Sequence, residues 1–299
     1  MRMTATASGC AGEAAPRGTE SADAEEIATI AYEALLLEVW TYPKPGLVSH
    51  VDNGSHGDMT AATFRSSAEA IRPFLRRLAE AGADLQPMGA LRIIGIEAEA
   101  AMLAATGGIN THRGAIFGMG LLCAAAGARG AAGMGREISL GRIAARRWGA
   151  AVSGGPVPLH SHGTAAWRRY GAGGARAEAA AGFPGLYRVG LPALDAGRRM
   201  CPGNAEAARV HCLFALMATI QDTNLLHRGG SAGAAFACEA AQDFLDQGGV
   251  ANPDWRRNAE ILHRQFNLRR LSAGGCADLM AMTLFVDRLD ALPNSRMPE

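Results

Sequence analysis

Sixteen residues, Lys44-Pro-Gly-Leu-Val-Ser-His-Val-Asp-Asn-Gly-Ser-His-Gly-Asp-Met59, hold one lysine, two histidines, two aspartates, one asparagine and three glycines. A lysine meets a phosphate as a point charge, aspartates hold a hard cation such as Mg²⁺, and glycines let a backbone approach a ligand closely. Lys44, His50, Asp52, Asn53, His56 and Asp58 can therefore serve one pocket. The plain alternative is a solvated loop in which Pro and Gly set turns and Asp58 caps the next helix.

Two more segments repeat these ingredients. Asn110-Thr-His-Arg-Gly-Ala-Ile-Phe117 puts His112 and Arg113 where a helix begins, and the free N–H groups of a helix start favour anions. Asp222-Thr-Asn-Leu-Leu-His-Arg-Gly-Gly-Ser231 offers Asp222 and Asn224 as oxygen ligands, then His227 and Arg228, then Gly229 and Gly230, whose N–H groups can wrap phosphate oxygens. The spacing of a P-loop is missing from it. Ordinary helix caps and turns are the alternative for both.

Two weaker candidates are Gly171 to Pro184, with Arg176 and Glu178 as a pair, and Ser272-Ala-Gly-Gly-Cys-Ala-Asp278. Small-residue helix packing explains either one as well. His160, His162, His211 and His263 read as surface or core histidines, and no His or Cys spacing suits a structural zinc.

Helices must position these loops. Ile27, Ile30, Ala31, Ala34 and Leu35 share a helical face before Pro43, and Thr60 or Thr63 opens a helix through Phe64, Ile71 and Leu78, with Pro73 inside it. Further helices are expected over about 88–105, 115–126, 138–152, 205–220, 232–245 and 253–263, and Ser272 is a candidate N-cap for a last one through Phe285. Residues 127–185 are hard to read, being rich in Gly, Ala and Arg. Alternating Val, Ile, Thr and aromatic patterns are absent, so the fold class is all-α: one compact domain of roughly nine to eleven helices over residues 23–290. Residues 1–22 read as a disordered leader and 291–299 as a flexible tail.

With 299 residues, 48% of them hydrophobic, the chain can bury a substantial core. Its formal charge of +1 gives no global attraction to nucleic acid or to acidic membranes, so anions must be held by local groups. Cys10, Cys123, Cys201, Cys212, Cys238 and Cys276 show no CxxC spacing and read as reduced thiols. No signal-peptide core and no run of eighteen apolar residues is present, which points to a soluble protein of the cytoplasm.

Taken together, Pro43-Lys-Pro-Gly-Leu-Val48, Asn53-Gly-Ser-His-Gly-Asp-Met59, Asn110 to Phe117, Asp222-Thr-Asn224 and His227-Arg-Gly-Gly230 resemble the triphosphoribosyl-dephospho-CoA synthase family in order and spacing. The likeness extends through Gly174-Ala-Arg-Ala-Glu178, Gly182-Phe-Pro184 and Gly274-Gly-Cys-Ala-Asp278. Arg113, where many relatives carry lysine, and Cys276, where serine is common, depart from the pattern. The resemblance implies an all-helical transferase that moves the triphosphoribosyl group of ATP to the 2′-hydroxyl of 3′-dephospho-CoA and releases adenine. The product is the prosthetic-group precursor of malonate decarboxylase or citrate lyase, with the wording of the first loop nearer the former. A separate holo-carrier-protein transferase would load it onto the acyl carrier subunit, and a homodimer is compatible with the pattern.

On that basis a single in-line displacement with inversion at the ribose carbon is expected. Mg²⁺-triphosphate falls to Asp52, Asp58 and Asp222 as metal ligands, with Lys44, Arg113, Arg228, Asn110, Asn224, Gly229, Gly230 and Arg176 around the substrate. His56 or His112 is a candidate proton donor to adenine, and Glu38 or Glu178 a candidate base; Asp222 is the leading catalytic and metal position. The rivals are a Mg²⁺-dependent N-glycosidic hydrolase and a non-enzymatic helical module that binds a carrier protein. The near absence of aromatic and apolar anchors in the loops argues against the module.

Overall fold

The computed structural model describes residues 22–156 and 173–292. The expected leader up to residue 21, His160, His162 and residues 293–299 of the tail lie outside the described residues. Among the described residues there are eleven α-helices and no strand. They are α1 (Ala24–Val39), α2 (Ala61–Ala83), α3 (Met88–Ala105), α4 (Arg113–Ala131), α5 (Leu140–Ser153), α6 (Gly174–Ala180), α7 (Leu191–Met200), α8 (Ala205–Thr219), α9 (Thr223–Asp246), α10 (Trp255–Leu268) and α11 (Gly274–Asp290). A π-turn over Leu186–Gly190 leads into α7, and a 3₁₀ turn over Gly249–Ala251 precedes α10.

Helix α4 is the axis of the fold. From Ala115 to Arg129 all but one of its side chains are buried, and α2, α11, α5, α3 and α1 pack around it. Its apolar length passes for a membrane span by composition, yet 78% of that stretch is buried inside the protein. Small residues let it sit so deep: a Cβ on Gly127 would lie 1.9 Å from the Ala79 carbonyl oxygen, and one on Gly82 of α2 would lie 1.9 Å from that of Ala124. The two backbones touch at these glycines, so Gly127→Val would drive them apart and overpack the core.

Caps set the helix starts that matter below. Asp23 accepts the Glu26 N–H at 2.7 Å to open α1, and Thr60 with Thr63 forms a reciprocal capping box for α2. Asp58 therefore caps nothing. Helix α4 begins at Arg113, earlier than the expected 115, and α10 runs on to Leu268, past His263. The expected cap at Ser272 is displaced by one residue, to Ala273.

The largest correction concerns the third polar segment. Residues 221–231 are not a loop between two helices: Asp222 is an N-cap and helical geometry begins at Thr223. Glycines there look like loop residues in sequence, but the cap decides where the helix starts. The break comes at Gly230 inside α9, where φ 62° and ψ −163° leave the helical region.

Candidate active site

Three helix starts converge, those of α4, α9 and α11, with Lys44 and Glu38 beneath them. Asp222 joins two of the starts. Its Oδ1 accepts the N–H groups of Asn224 (2.7 Å) and Leu225 (3.2 Å) at the head of α9, and its Oδ2 accepts the Cys276 N–H (2.8 Å) in the first turn of α11. The Cys276 thiol adds a further hydrogen bond, which fills the lone pairs of the carboxylate. Burial pushes its pKa up while these donors pull it down.

Gly114, in the first turn of α4, meets α11 at Asp278: a Cβ on Gly114 would lie 2.1 Å from Asp278 Oδ2. Only a glycine leaves room for that carboxyl group. Asp278 itself accepts no hydrogen bond among the described residues and keeps part of its surface open. Protein packed around it, with the charges of Glu38 and Asp222 adding, holds its pKa well above the usual carboxylate range. Asn110 accepts the Arg113 N–H at 3.2 Å, and among the described residues no side chain takes the Gly114 or Ala115 N–H.

Lys44 lies under these starts, fully buried. Its Nζ donates to the Glu38 carbonyl oxygen at 2.7 Å and to the Glu38 carboxylate, both from the last turn of α1. Burial lowers the Lys44 pKa, and the neighbouring Glu38 charge opposes that shift. Alongside, Thr111 Oγ1 donates to Ser67 Oγ (2.7 Å), and Ser67 meets His112 Nδ1 at 2.6 Å. The ring's Nε2 is a buried atom with no partner among the described residues. Desolvation, with Lys44 nearby, lowers the His112 pKa to about 3.

The Lys44 to Met59 loop closes over the turn between α10 and α11. Ser55 Oγ donates to the Leu271 carbonyl (2.6 Å), His56 Nε2 meets Ser272 Oγ (2.9 Å), and Arg228 contacts the Ser55 carbonyl (3.2 Å), the Arg270 carbonyl (3.1 Å) and His56 Nδ1 (3.1 Å). His263 spans the Lys44 carbonyl (2.7 Å) and both Asp52 oxygens (3.0 Å each). Burial, with the Arg228 charge adding, lowers the His56 pKa to about 4.

A family model described as ATP:dephospho-CoA triphosphoribosyl transferase matches residues 24–297. The chain belongs to this family. It is 41% identical over 281 residues to a protein of Pseudomonas paraeruginosa, covering 91% of this chain and 94% of the relative. A Pseudomonas putida protein is 40% identical over 276 residues (90% and 96%), and one from Stutzerimonas stutzeri is 40% identical over 274 residues (89% and 92%). All three are named "Probable 2-(5''-triphosphoribosyl)-3'-dephosphocoenzyme-A synthase". No solved structure matches the chain.

The transferase thus brings together Lys44, Glu38, His112, Asp222 and Asn224, the last with its amide 2.7 Å from a Cβ on Gly274. It does not bring together Asp52, Asp58 and Asp222. Asp52 is occupied by His263 and the Gly54 N–H, Asp58 is exposed 3.9 Å from His56 Nδ1, and Asp222 caps two helices. Among the described residues no three His, Cys, Asp or Glu side chains are grouped to hold a metal. Burial lowers the pKa of both His56 and His112, the two candidate proton donors.

Other expected contributors also have protein partners. Arg113 pairs with Glu99 of α3 at 2.9 Å and remains half-exposed. Arg176 donates to the Pro156 (2.7 Å) and Gly155 (3.0 Å) carbonyls beyond α5, and Glu178 accepts the Gly185 N–H (3.0 Å), so the two are not a pair. Burial raises the Glu178 pKa. Gly229 makes room for Leu271, whose side chain would lie 2.5 Å from an added Cβ, and Gly230 supplies the break in α9. Asp278, by contrast, stands at the centre although the sequence marked it only as the end of a weak motif.

Proposed function

We propose that the chain transfers the 5-triphosphoribosyl group of ATP to the 2′-hydroxyl of 3′-dephospho-CoA, releases adenine, and forms the prosthetic-group precursor of malonate decarboxylase. Family membership supports the reaction, and the first-loop wording favours malonate decarboxylase over citrate lyase as the pathway served. The observation that carries the reading is the meeting of the α4, α9 and α11 starts around Asp278, above a buried lysine and an imidazole nitrogen with no partner among the described residues. A buried polar atom without a partner is costly in a native protein, and a ligand group would satisfy it.

In this reading the open N–H groups of Gly114 and Ala115 receive phosphate oxygens, flanked by Arg113 and Arg228. Mg²⁺ would accompany the triphosphate, since it keeps waters and takes one or two carboxylates plus phosphates. Asp58 is the exposed carboxylate open to it, and bound Mg²⁺ would offset phosphate charge. Adenine departs as the acceptor oxygen attacks from the opposite face, with inversion. The free cysteines Cys123, Cys201, Cys212, Cys238 and Cys276 suit a reducing cytoplasm, and the product would pass to a separate holo-carrier-protein transferase.

The test is incubation with ATP alone and with ATP plus 3′-dephospho-CoA, following adenine and product mass. The transfer predicts adenine only when both are present, with a CoA-derived product heavier by one triphosphoribosyl unit. Adenine released from ATP alone at the same rate would instead identify a hydrolase.

A further inference from the structure

Of the three carboxyl groups near the helix starts, two are committed. Glu38 is engaged by the Lys44 ammonium, and Asp222 by three backbone N–H groups of α9 and α11. Asp278 has no such partner, keeps part of its surface open, and is pressed against the Gly114 backbone at the start of α4. We propose that Asp278 is the general acid of the transfer, the carboxyl group whose proton goes to adenine as the base leaves. This assignment rests on the transferase reading above.

The charges facing Asp278 agree with a carboxyl group that keeps its proton. Glu38 comes from α1 and Asp222 from the head of α9, both carboxyl groups, while Lys44 is directed to Glu38 and His112 is neutral. The Cys276 thiol, on α11 itself, is held protonated by burial. Environments that push neighbouring carboxyl groups apart in pKa are how one fold separates acid from spectator. Inverting glycosyl transfer needs such an acid on the leaving-group side.

The step balances without any further reactant. The bond from C1′ of the ATP ribose to N9 of adenine breaks, and its electron pair leaves with the base. Adenine takes the Asp278 proton, while C1′ bonds to the acceptor oxygen. The proton lost by the acceptor hydroxyl goes to solvent, and solvent reprotonates Asp278. Removing an acid of this kind costs about 10² to 10⁴-fold in rate when the leaving group needs a proton, and little when it does not.

The experiment compares the wild-type enzyme and Asp278→Asn, with 3′-dephospho-CoA, on ATP and on an analogue in which p-nitrophenolate replaces adenine. The expected result is a kcat for ATP lowered about 100-fold or more with KM little changed, a rate on the analogue near wild type, and loss of the alkaline limb of the kcat–pH profile. Gly114→Ala, which would displace the carboxyl group, should repeat the split between the two substrates, so a folding defect in one variant does not stand alone. Equal losses on both substrates, or unchanged kcat on ATP, would overturn the role of Asp278. A wild-type enzyme that makes no CoA-derived product would instead overturn the transferase reading itself.

Discussion

The loop from Lys44 to Met59 and the segment from Ser272 to Asp278 lie side by side, joined by Ser55 to Leu271 and His56 to Ser272. The loop is rich in chemical side chains but commits three of them: Lys44 to Glu38, Asp52 to His263, and His56 to Ser272 and Arg228. The segment is glycine, alanine and cysteine, and it delivers one uncommitted carboxyl group against a helix start. A reactive group is recognised by what it has left to give, and residue type alone does not show that.

The sharpest way to break this contrast is at the buried pair. Lys44→Met should cost about 3–5 kcal/mol, because it strands a buried Glu38 carboxylate. Adding Glu38→Leu should restore most of that stability in denaturant titrations and leave turnover absent. Recovery of turnover in the double variant would show that the pair only supports the fold.

Next in size is Asp222. Asp222→Ala orphans the N–H groups of Asn224, Leu225 and Cys276 and should cost about 3 kcal/mol or more, at about 1–3 kcal/mol for each buried group left unsatisfied. Asp278→Asn removes no hydrogen bond and should change stability by less than about 1 kcal/mol. Melting curves of the two variants side by side separate a carboxylate that builds from one that reacts.

A pH series sharpens the same division. His112 titrates near 6.5 when unfolded and near 3 when folded, so the unfolded state binds more protons between those values. Its contribution is complete above pH 6.5 and is lost as pH falls toward 3. The stability difference between wild type and His112→Gln should therefore shrink on acidification across that window; a constant difference would contradict a neutral buried ring. The smallest effect is expected at Arg176→Ala, about 1 kcal/mol in stability from lost contacts to the end of α5, with turnover unchanged.

The helical class, the single core and most helix spans were legible in the sequence because apolar residues at 3.6 spacing and Ser, Thr or Asp caps report local physics. The repeated pattern of acid, base and glycine marked the polar segments as candidates for one pocket, and Arg228 of the third reaches Ser55 and His56 of the first. What was hidden was the commitment of each group. That Asp52 faces His263 depends on α10 crossing the loop 211 residues away in sequence, and that Asp222 caps two helices depends on Cys276, 54 residues on. Asp278 was hidden for the converse reason: its importance comes from a missing Cβ at Gly114, on another helix.

The most direct test compares dephospho-CoA-dependent adenine release by Asp278→Asn with that by Asp52→Asn, each checked for folding. The account predicts a loss of about 100-fold or more for Asp278→Asn and a far smaller one for Asp52→Asn, whose carboxylate anchors the outer loop to His263. A larger loss at Asp52 than at Asp278 would place the chemistry in the loop and contradict it.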